Sequence, residues 1–351
     1  VLDELDYVLV TALQHAPRAD WRRIGQAVGV DATTAARRWA RLTDAGLAWL
    51  SCYPSPWAMP RLLVAYIEVD CVPGRAHELC ARLVDDSPLF NIERTTGARD
   101  LVLTAVFRDR AELSRYLDFR LGGLPGVVRL RTQLATTLHV EGSQWRLDRL
   151  PAERRALLAP VPHEPREPAR TVLGDPDLAL VLALGADCRQ SAAALAARTG
   201  SSPTTVRRRL ERLAAAGAIT FRCELAHSVS GWPVSATLWC AVPAADTARV
   251  TAALSGLRET RQCATLSGPH NLMLTAWLRS MDDIQPFEVS LGRRHPELRV
   301  DDRAVTLWQP KHAGHVLSPD GRRLRWVPFT PEWTDPGAEA AEQAAVARLR
   351  G

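Results

Sequence analysis

Two clusters of threonine and arginine are the residues best suited to chemistry in this sequence. Thr33, Thr34, Arg37, Arg38 and Arg41 form the first; Thr204, Thr205, Arg207, Arg208, Arg209 and Arg212 form the second. Short hydroxyls beside guanidinium groups bond phosphate oxygens and base edges, so the expected chemistry is non-covalent recognition of double-stranded DNA. Four arginines and one glutamate between Ser202 and Gly217 give a net +3, whereas Asp31 to Gly46 carry +1. The second cluster is therefore expected to grip phosphate more strongly. The other reading open for both clusters is that these arginines only solvate an exposed helix face.

Such residues need a helix to present them. Asp31 stands where an N-cap belongs, and the pattern predicts a helix over Ala32–Asp44 that ends at Gly46. Before it come a short helix, Trp21–Val28, and a turn at Gly29-Val30; before that, Leu2, Leu5, Leu9 and Leu13 repeat at helical spacing until Pro17. The second cluster has the same setting. Ala193–Thr199 leads to Gly200, Ser202 caps, Pro203 suits the first helical position, and Val206, Leu210 and Leu213 share one face. Trp39 takes the place of Leu210 and reads as core. A short helix, a glycine turn and a basic helix predict a helix-turn-helix, with Ala218–Cys223 opening a wing strand.

The two clusters belong to an internal repeat. Gly29 and Gly200, Gly46 and Gly217, Gly97 and Gly268, and Pro125 and Pro296 all stand 171 residues apart. Val28–Ala48 and Thr199–Ile219 share nine identities in 21 positions. Average residue usage would give only about one or two. Each copy is long enough for whole domains rather than a solenoid unit. After the helix-turn-helix, each copy alternates strand and helix in the order β-α-β-β-α-β. In the first copy the segments are Leu62–Val69, Gly74–Leu83, Phe90–Thr96, Leu101–Phe107, Ala111–Leu121 and Val127–Leu138. In the second they are Val234–Val242, Thr247–Leu257, Arg261–Ser267, Leu272–Leu278, Asp283–Leu291 and Arg299–Leu307. That order predicts an α+β fold: two copies of a winged helix-turn-helix plus a ferredoxin-like βαββαβ domain. The expected boundaries are 1–57 and 58–142 for the first pair, 143–174 for a proline-rich linker, 175–230 and 231–313 for the second pair, and 314–351 for a tail.

Here a resemblance becomes specific. Leu2-Asp3-x-x-Asp6, the turn Val28-Gly29-Val30-Asp31, and the spacing Arg38, Leu42, Gly46, repeated as Arg209, Leu213, Gly217, resemble the Lrp/AsnC (feast/famine) regulators. So do Thr96-Gly97-x-x-Asp100-Leu101 and Leu124-Pro125-Gly126-Val127. The second copy departs from that pattern, with Asn271 for Asp100 and Glu297 for Gly126. The resemblance implies a DNA-binding transcription regulator. It also implies an amino acid-like effector held near Thr96, Gly97 and Asp100, and near Ser267, Gly268 and Asn271. The two copies would form an intrachain pseudo-dimer that oligomerises further. Gly97 and Gly268 can equally serve only a tight turn.

The remaining composition narrows the class. Seven scattered cysteines with no C-x-x-C pair fit a reducing cytoplasm and argue against a disulfide framework or zinc site. No apolar run is long enough to span a bilayer, so no membrane partner is expected. A net charge of +5 permits nucleic-acid binding without establishing it. No Walker loop, G-x-S-x-G or H-E-x-x-H is present, and His270 and His295 have no evident catalytic companion. The expectation is a non-enzyme without metal or cofactor. Two rivals remain. Siroheme decarboxylases of heme biosynthesis share the two-domain architecture and carry a His-Arg and aromatic-rich stretch after the wing. The corresponding segments here, Cys52–Ala65 and Cys223–Leu238, lack a full version, although His227 and Trp232 keep that reading open. The other rival is a regulator acting only through protein contacts.

Overall fold

A computed structural model describes residues 2–56, 62–158 and 173–349. The first copy runs through helices α1 (Glu4–His15), α2 (Trp21–Val28) and α3 (Ala32–Asp44) into strand β1 (Ala48–Pro54). It continues as β2 (Leu63–Cys71), α4 (Ala76–Leu83), β3 (Leu89–Thr95), β4 (Leu101–Phe107), α5 (Arg110–Arg115) and β5 (Val127–Val140), before a short helix α6 (Ala152–Arg155). The second copy repeats this as α7 (Asp175–Gly185), α8 (Ala192–Thr199), α9 (Pro203–Ala215), β6 (Ile219–Leu225), β7 (Val234–Ala241), α10 (Thr247–Ser255), β8 (Thr260–Leu266), β9 (Leu272–Leu278), α11 (Ile284–Arg294) and β10 (Arg299–His312). The tail adds β11 (His315–Leu317), β12 (Arg323–Trp326) and α12 (Pro336–Arg348).

The chain divides into two units. The first comprises Val1–Pro60, Trp145–Ser230 and Asp320–Pro328, and so gathers the helical modules of both copies. Caps set its helices: Asp20, Asp31, Ser191 and Ser202 each accept a backbone amide in the first turn of α2, α3, α8 and α9. Gly29 ends α2 in the left-handed conformation, φ 89°, and Gly200 ends α8 at φ 63°. Leu9, Leu13, Ile24 and Leu42 are fully buried, and Trp39 lies among the core residues at 7% exposure. The wing strands pair with each other. β1 and β6 run antiparallel from Ala48↔Leu225 to Pro54↔Ile219.

The second unit comprises Arg61–Gln144, Gly231–Pro319 and Phe329–Gly351. Its sheet joins the two copies through shared strands. The element order holds in each copy, but β5 and β10 are 14 residues long and each serves both copies. Leu130–Leu134 of β5 pair with Val69–Ala65 of β2, and Ala135–Val140 pair onward with Leu266–Cys263 of β8. In the same way β10 pairs first with β7, then from Thr306 with β3. The strands therefore follow one another as β10-β3-β4-β2-β5-β8-β9-β7 and return to β10, a closed sheet with no free edge in that ring. Strand alternation sends every second residue outward towards the helices and the others inward. In the second copy Leu238, Cys240, Cys263, Leu272 and Leu274 form the outer core with Val250, Leu254 and Leu291. Inside the ring lie Tyr66, Ala264, Leu266 and Met273, and a second apolar group of Val102, Trp239 and Ala304.

The interior also holds charge. Arg99, almost wholly buried, pairs with Glu68 at 3.1 Å and with Asp302, and its guanidinium lies 3.9 Å from the Trp239 ring centroid. Arg131 joins Glu68 at 3.0 Å to Asp70 at 2.7 Å. A buried charge survives only when paired and hydrogen-bonded, which this chain of alternating signs provides.

Of the expected linker, Ser143–Leu158 and Leu173–Gly174 fall within the described residues, whereas Pro160, Pro162, Pro165 and Pro168 lie outside them. The boundary expected at 57/58 also lies outside them. Among the described residues no helix is long and apolar enough to cross a membrane.

Candidate functional site

The threonine and arginine clusters lie on α3 and α9, but the structure divides them. On α3, Thr33 and Arg37 are exposed. Thr34 turns back onto the cap, its amide and hydroxyl bonding Asp31 at 2.8 and 2.7 Å. Arg38 donates to Asp3 at 2.8 Å and to Asp6 at 2.9 Å, and Arg41 reaches Asp6 at 2.5 Å. Asp6 is fully buried and completes a capping box with Asp3 at the start of α1. The Arg38 guanidinium beside Asp3 holds that carboxyl below its usual range. These two arginines fasten α1 to α3. The second copy repeats the device, with Arg212 bonding both oxygens of Asp177 at 2.7 Å. On α9, Thr204, Arg207 and Arg208 are exposed, Arg209 is half-buried, and the Thr205 hydroxyl is 2.9 Å from that of Ser202.

The glycine loops expected to hold an effector are fasteners of the closed sheet. The Thr96 amide donates to the Val305 carbonyl at 2.9 Å, and its hydroxyl accepts from the Val305 amide at 2.9 Å. Ser267 makes the same pair of bonds with Leu134, at 2.8 and 2.9 Å. Asp100 accepts from the Cys71 amide at 2.7 Å. Asn271 accepts from the Val242 amide at 2.9 Å and donates to the Val242 carbonyl at 2.7 Å, so the change from Asp to Asn adds a donor to the same bond. Gly97 has φ 89°, and a side chain there would meet the Arg303 carbonyl at 3.0 Å; one at Gly268 would meet the Gln133 amide oxygen at 3.1 Å. Each loop is thus tied to the long strand of the other copy.

A third group was not singled out by its sequence pattern, apart from Trp232. Where β7, β8 and β9 meet, Arg258 and Arg279 lie over the buried Trp232, 5.3 and 4.9 Å from the ring centroid. Arg261, 6% exposed, lies 4.1 Å over Trp277 and donates to the Gly142 carbonyl. A bulge between Thr260 and Gln262 lets Arg261 depart from strict alternation. Its neighbour Gln262 donates to the Tyr66 hydroxyl inside the sheet. Glu93 is also inside, bonded by the Thr306 hydroxyl at 3.0 Å and the Gln309 amide at 3.2 Å. Burial raises the Glu93 pKa above the ordinary glutamate range, against those two bonds and the charge of Arg261. Burial likewise raises that of Tyr66.

This group exists once. At the offset of 171, Arg258, Arg261 and Trp277 correspond to Ser87, Phe90 and Val106, while Tyr66 and Glu93 correspond to Thr237 and Ala264. The backbones match, since Val106 bonds the Pro88 carbonyl at 3.0 Å as Trp277 bonds Glu259 at 2.8 Å. The copies therefore keep their architecture and differ in chemistry. Guanidinium groups beside tryptophan faces can anchor carboxylates while the rings stack on a flat body. The sequence signal was available: two tryptophans and two arginines that the other copy lacks, beside one arginine, Arg279, that it shares as Arg108. His227 lies partly buried beside β6, in the first unit. Among the described residues no group of three or more His, Cys, Asp or Glu could hold a metal ion.

Comparison with known proteins completes the picture. The family model for the AsnC-type helix-turn-helix domain matches residues 2–43 and again 175–214. The Lrp/AsnC ligand binding domain model matches residues 64–145. The chain carries a repeated Lrp/AsnC-type domain architecture. HTH-type transcriptional regulators FL11 of Pyrococcus abyssi and of Pyrococcus horikoshii are each 26% identical over 144 residues, 41% of this chain and 95% of theirs. These matches give some support for DNA-binding capacity. Over the whole length the likeness is to another protein. The siroheme decarboxylase NirDL matches at TM-score 0.56 and 12% identity, covering 99% of this chain and 100% of its own. Its complex with an iron-uroporphyrin III analogue matches at 0.57 and 13%. At such identity the likeness is one of fold. It nonetheless overturns the expectation that the chain is no enzyme, and with it the assignment to transcription regulation through DNA binding. That expectation rested on missing motifs, and an enzyme with this whole-chain fold shows that the fold is one that supports catalysis.

Proposed function

We propose that the chain is a decarboxylase acting on a flat, carboxylate-bearing iron tetrapyrrole of the siroheme type. The observation that carries this reading is the likeness of fold to siroheme decarboxylase NirDL from one end of the chain to the other. The arginine and tryptophan group supports it. Arg258 and Arg279 are exposed and suited to rim carboxylates; the buried Trp232 and Trp277 rings lie beneath the guanidinium groups and hold them flat; Arg261 lies deeper.

Decarboxylation breaks the bond between the side-chain carbon and its carboxylate. Carbon dioxide leaves, and the electron pair left on carbon must take a proton. Arg261 would orient the departing carboxylate in a region poor in water, where loss of charge to neutral carbon dioxide is favoured. Glu93 and Tyr66 both hold their protons more tightly than usual and are the candidate donors. The test is spectroscopic. Siroheme added to the purified chain should shift its absorption on binding, and Arg261→Ala should weaken that binding by about tenfold or more, the loss of one charge-assisted hydrogen bond. An unshifted spectrum with the unmodified chain overturns the reading.

A further inference from the structure

The first copy contains the same face as the arginine and tryptophan group, and the chain's own tail sits on it. Thr330 donates its amide to the Ser87 carbonyl at 3.2 Å, and the Ser87 hydroxyl donates to the Glu332 carbonyl at 3.3 Å. Phe329 meets Phe90 edge-on, ring centroids 5.2 Å apart. The Glu332 carboxylate pairs with Arg108 at 3.0 Å. Trp333 donates its amide to Glu112 at 2.6 Å and packs edge-on against Tyr116 at 5.1 Å. At the offset of 171, Ser87, Phe90 and Arg108 correspond to Arg258, Arg261 and Arg279. The tail thus covers, in one copy, the three positions that carry arginine in the other. The same unit holds α12 through Arg115 and Glu342 at 2.6 Å, which anchors the far end of the tail.

We propose that the segment Phe329–Trp333 is a permanent internal occupant of the first copy's site, so that each chain binds one carboxylate-bearing aromatic ligand, on the second copy's face alone. The occupant has the chemistry expected of the ligand: a carboxylate on the arginine shared by both copies, with flat apolar rings beside it. The residues beneath it have changed accordingly. Ser87 and Phe90 suit a peptide carbonyl and a phenyl ring, whereas Arg258 and Arg261 suit further carboxylates. Arg258 and Arg279 are exposed, within reach of a ligand from solution. The ligand class rests on the functional reading above; the occupancy of the first face rests on the contacts alone.

The experiment is a titration of the full chain with iron-uroporphyrin III, reading stoichiometry and affinity by absorbance. The unmodified chain should bind one equivalent. Arg279→Ala should weaken it by about tenfold or more, and Arg108→Ala should change it less than about twofold. A triple variant, Phe329→Ala with Glu332→Ala and Trp333→Ala, should gain a second, weaker equivalent that Arg108→Ala removes. Circular dichroism on each variant establishes that it folds, and if the triple variant does not fold, Glu332→Ala alone takes its place with the same expectation. Two equivalents on the unmodified chain, equal effects at Arg108 and Arg279, or no second equivalent in a folded tail variant would overturn the proposal. No binding by the unmodified chain would instead overturn the functional reading on which the ligand class rests.

Discussion

Replacing Asp6 tests whether the first cluster's arginines serve the fold. Asp6 is fully buried and receives Arg38 at 2.9 Å and Arg41 at 2.5 Å, besides closing the capping box on α1. Hydrogen bonds to charged groups contribute about 1.5–3 kcal/mol each, and a capping interaction about 1 kcal/mol. The arginine ends are 26% and 49% exposed, so solvent screens part of this. Asp6→Ala should then destabilise the helical unit by roughly 2–4 kcal/mol. Among the described residues Asp177 meets one arginine, Arg212, whose side chain is 52% exposed, so Asp177→Ala should cost roughly 1–2 kcal/mol. Urea unfolding followed by helix signal gives both numbers, and the double variants Asp6→Ala with Arg38→Ala or Arg41→Ala give the coupling. Equal losses at Asp6 and Asp177, or no coupling to either arginine, would refute the reasoning and return Arg38 and Arg41 to the solvent-facing role.

Other consequences follow from the same structure. Gly97→Ala forces a side chain into a left-handed backbone 3.0 Å from the Arg303 carbonyl and should destabilise the sheet unit by about 1–3 kcal/mol in urea unfolding, whereas Gly74→Ala, with open space at its position, should cost less. Arg99→Met leaves the buried Glu68 with Arg131 alone and removes the arginine from the partly exposed Asp302, and should cost roughly 2–4 kcal/mol; double replacement with Glu68→Leu should recover part of it in the same measurement. Glu93 has a folded pKa above its unfolded value, so the native state binds the extra proton in that window and stability falls as pH rises from about 4.5 through the folded pKa. Glu93→Gln should remove that slope; unfolding curves that keep the same pH dependence would contradict the assignment.

Local signals made much of this legible in the sequence. The caps Asp31 and Ser202, the turn glycines 29 and 200, and the constant offset of 171 specify the helical modules because capping and left-handed turns are decided within a few residues. Strand alternation located the ring strands within one or two residues of their ends, except β10, which was expected to stop at Leu307 and runs to His312. What alternation leaves open is who pairs with whom. Nothing local shows that Ala135 leaves β2 for β8, or that Thr306 leaves β7 for β3. What each arginine touches was hidden for a related reason. Arg38 and Arg41 look like Arg207 and Arg208 in a sequence window, and only the return of α1 places Asp6 beneath them. Trp232 and the arginines over it are separated by 26 and 47 positions, so their meeting depends on the order of β7, β8 and β9. The divergence between copies was nevertheless readable, since subtracting one copy from the other leaves Arg258, Arg261 and Trp277 as unmatched.

The measurement closest to the central claim is turnover. Purified chain incubated anaerobically with siroheme should yield a product lighter by carbon dioxide in mass spectrometry, with more than one enzyme equivalent converted and a loss of rate of about tenfold or more in Arg261→Ala. Siroheme recovered unchanged at every pH tried, from a chain shown to bind it, would contradict the account.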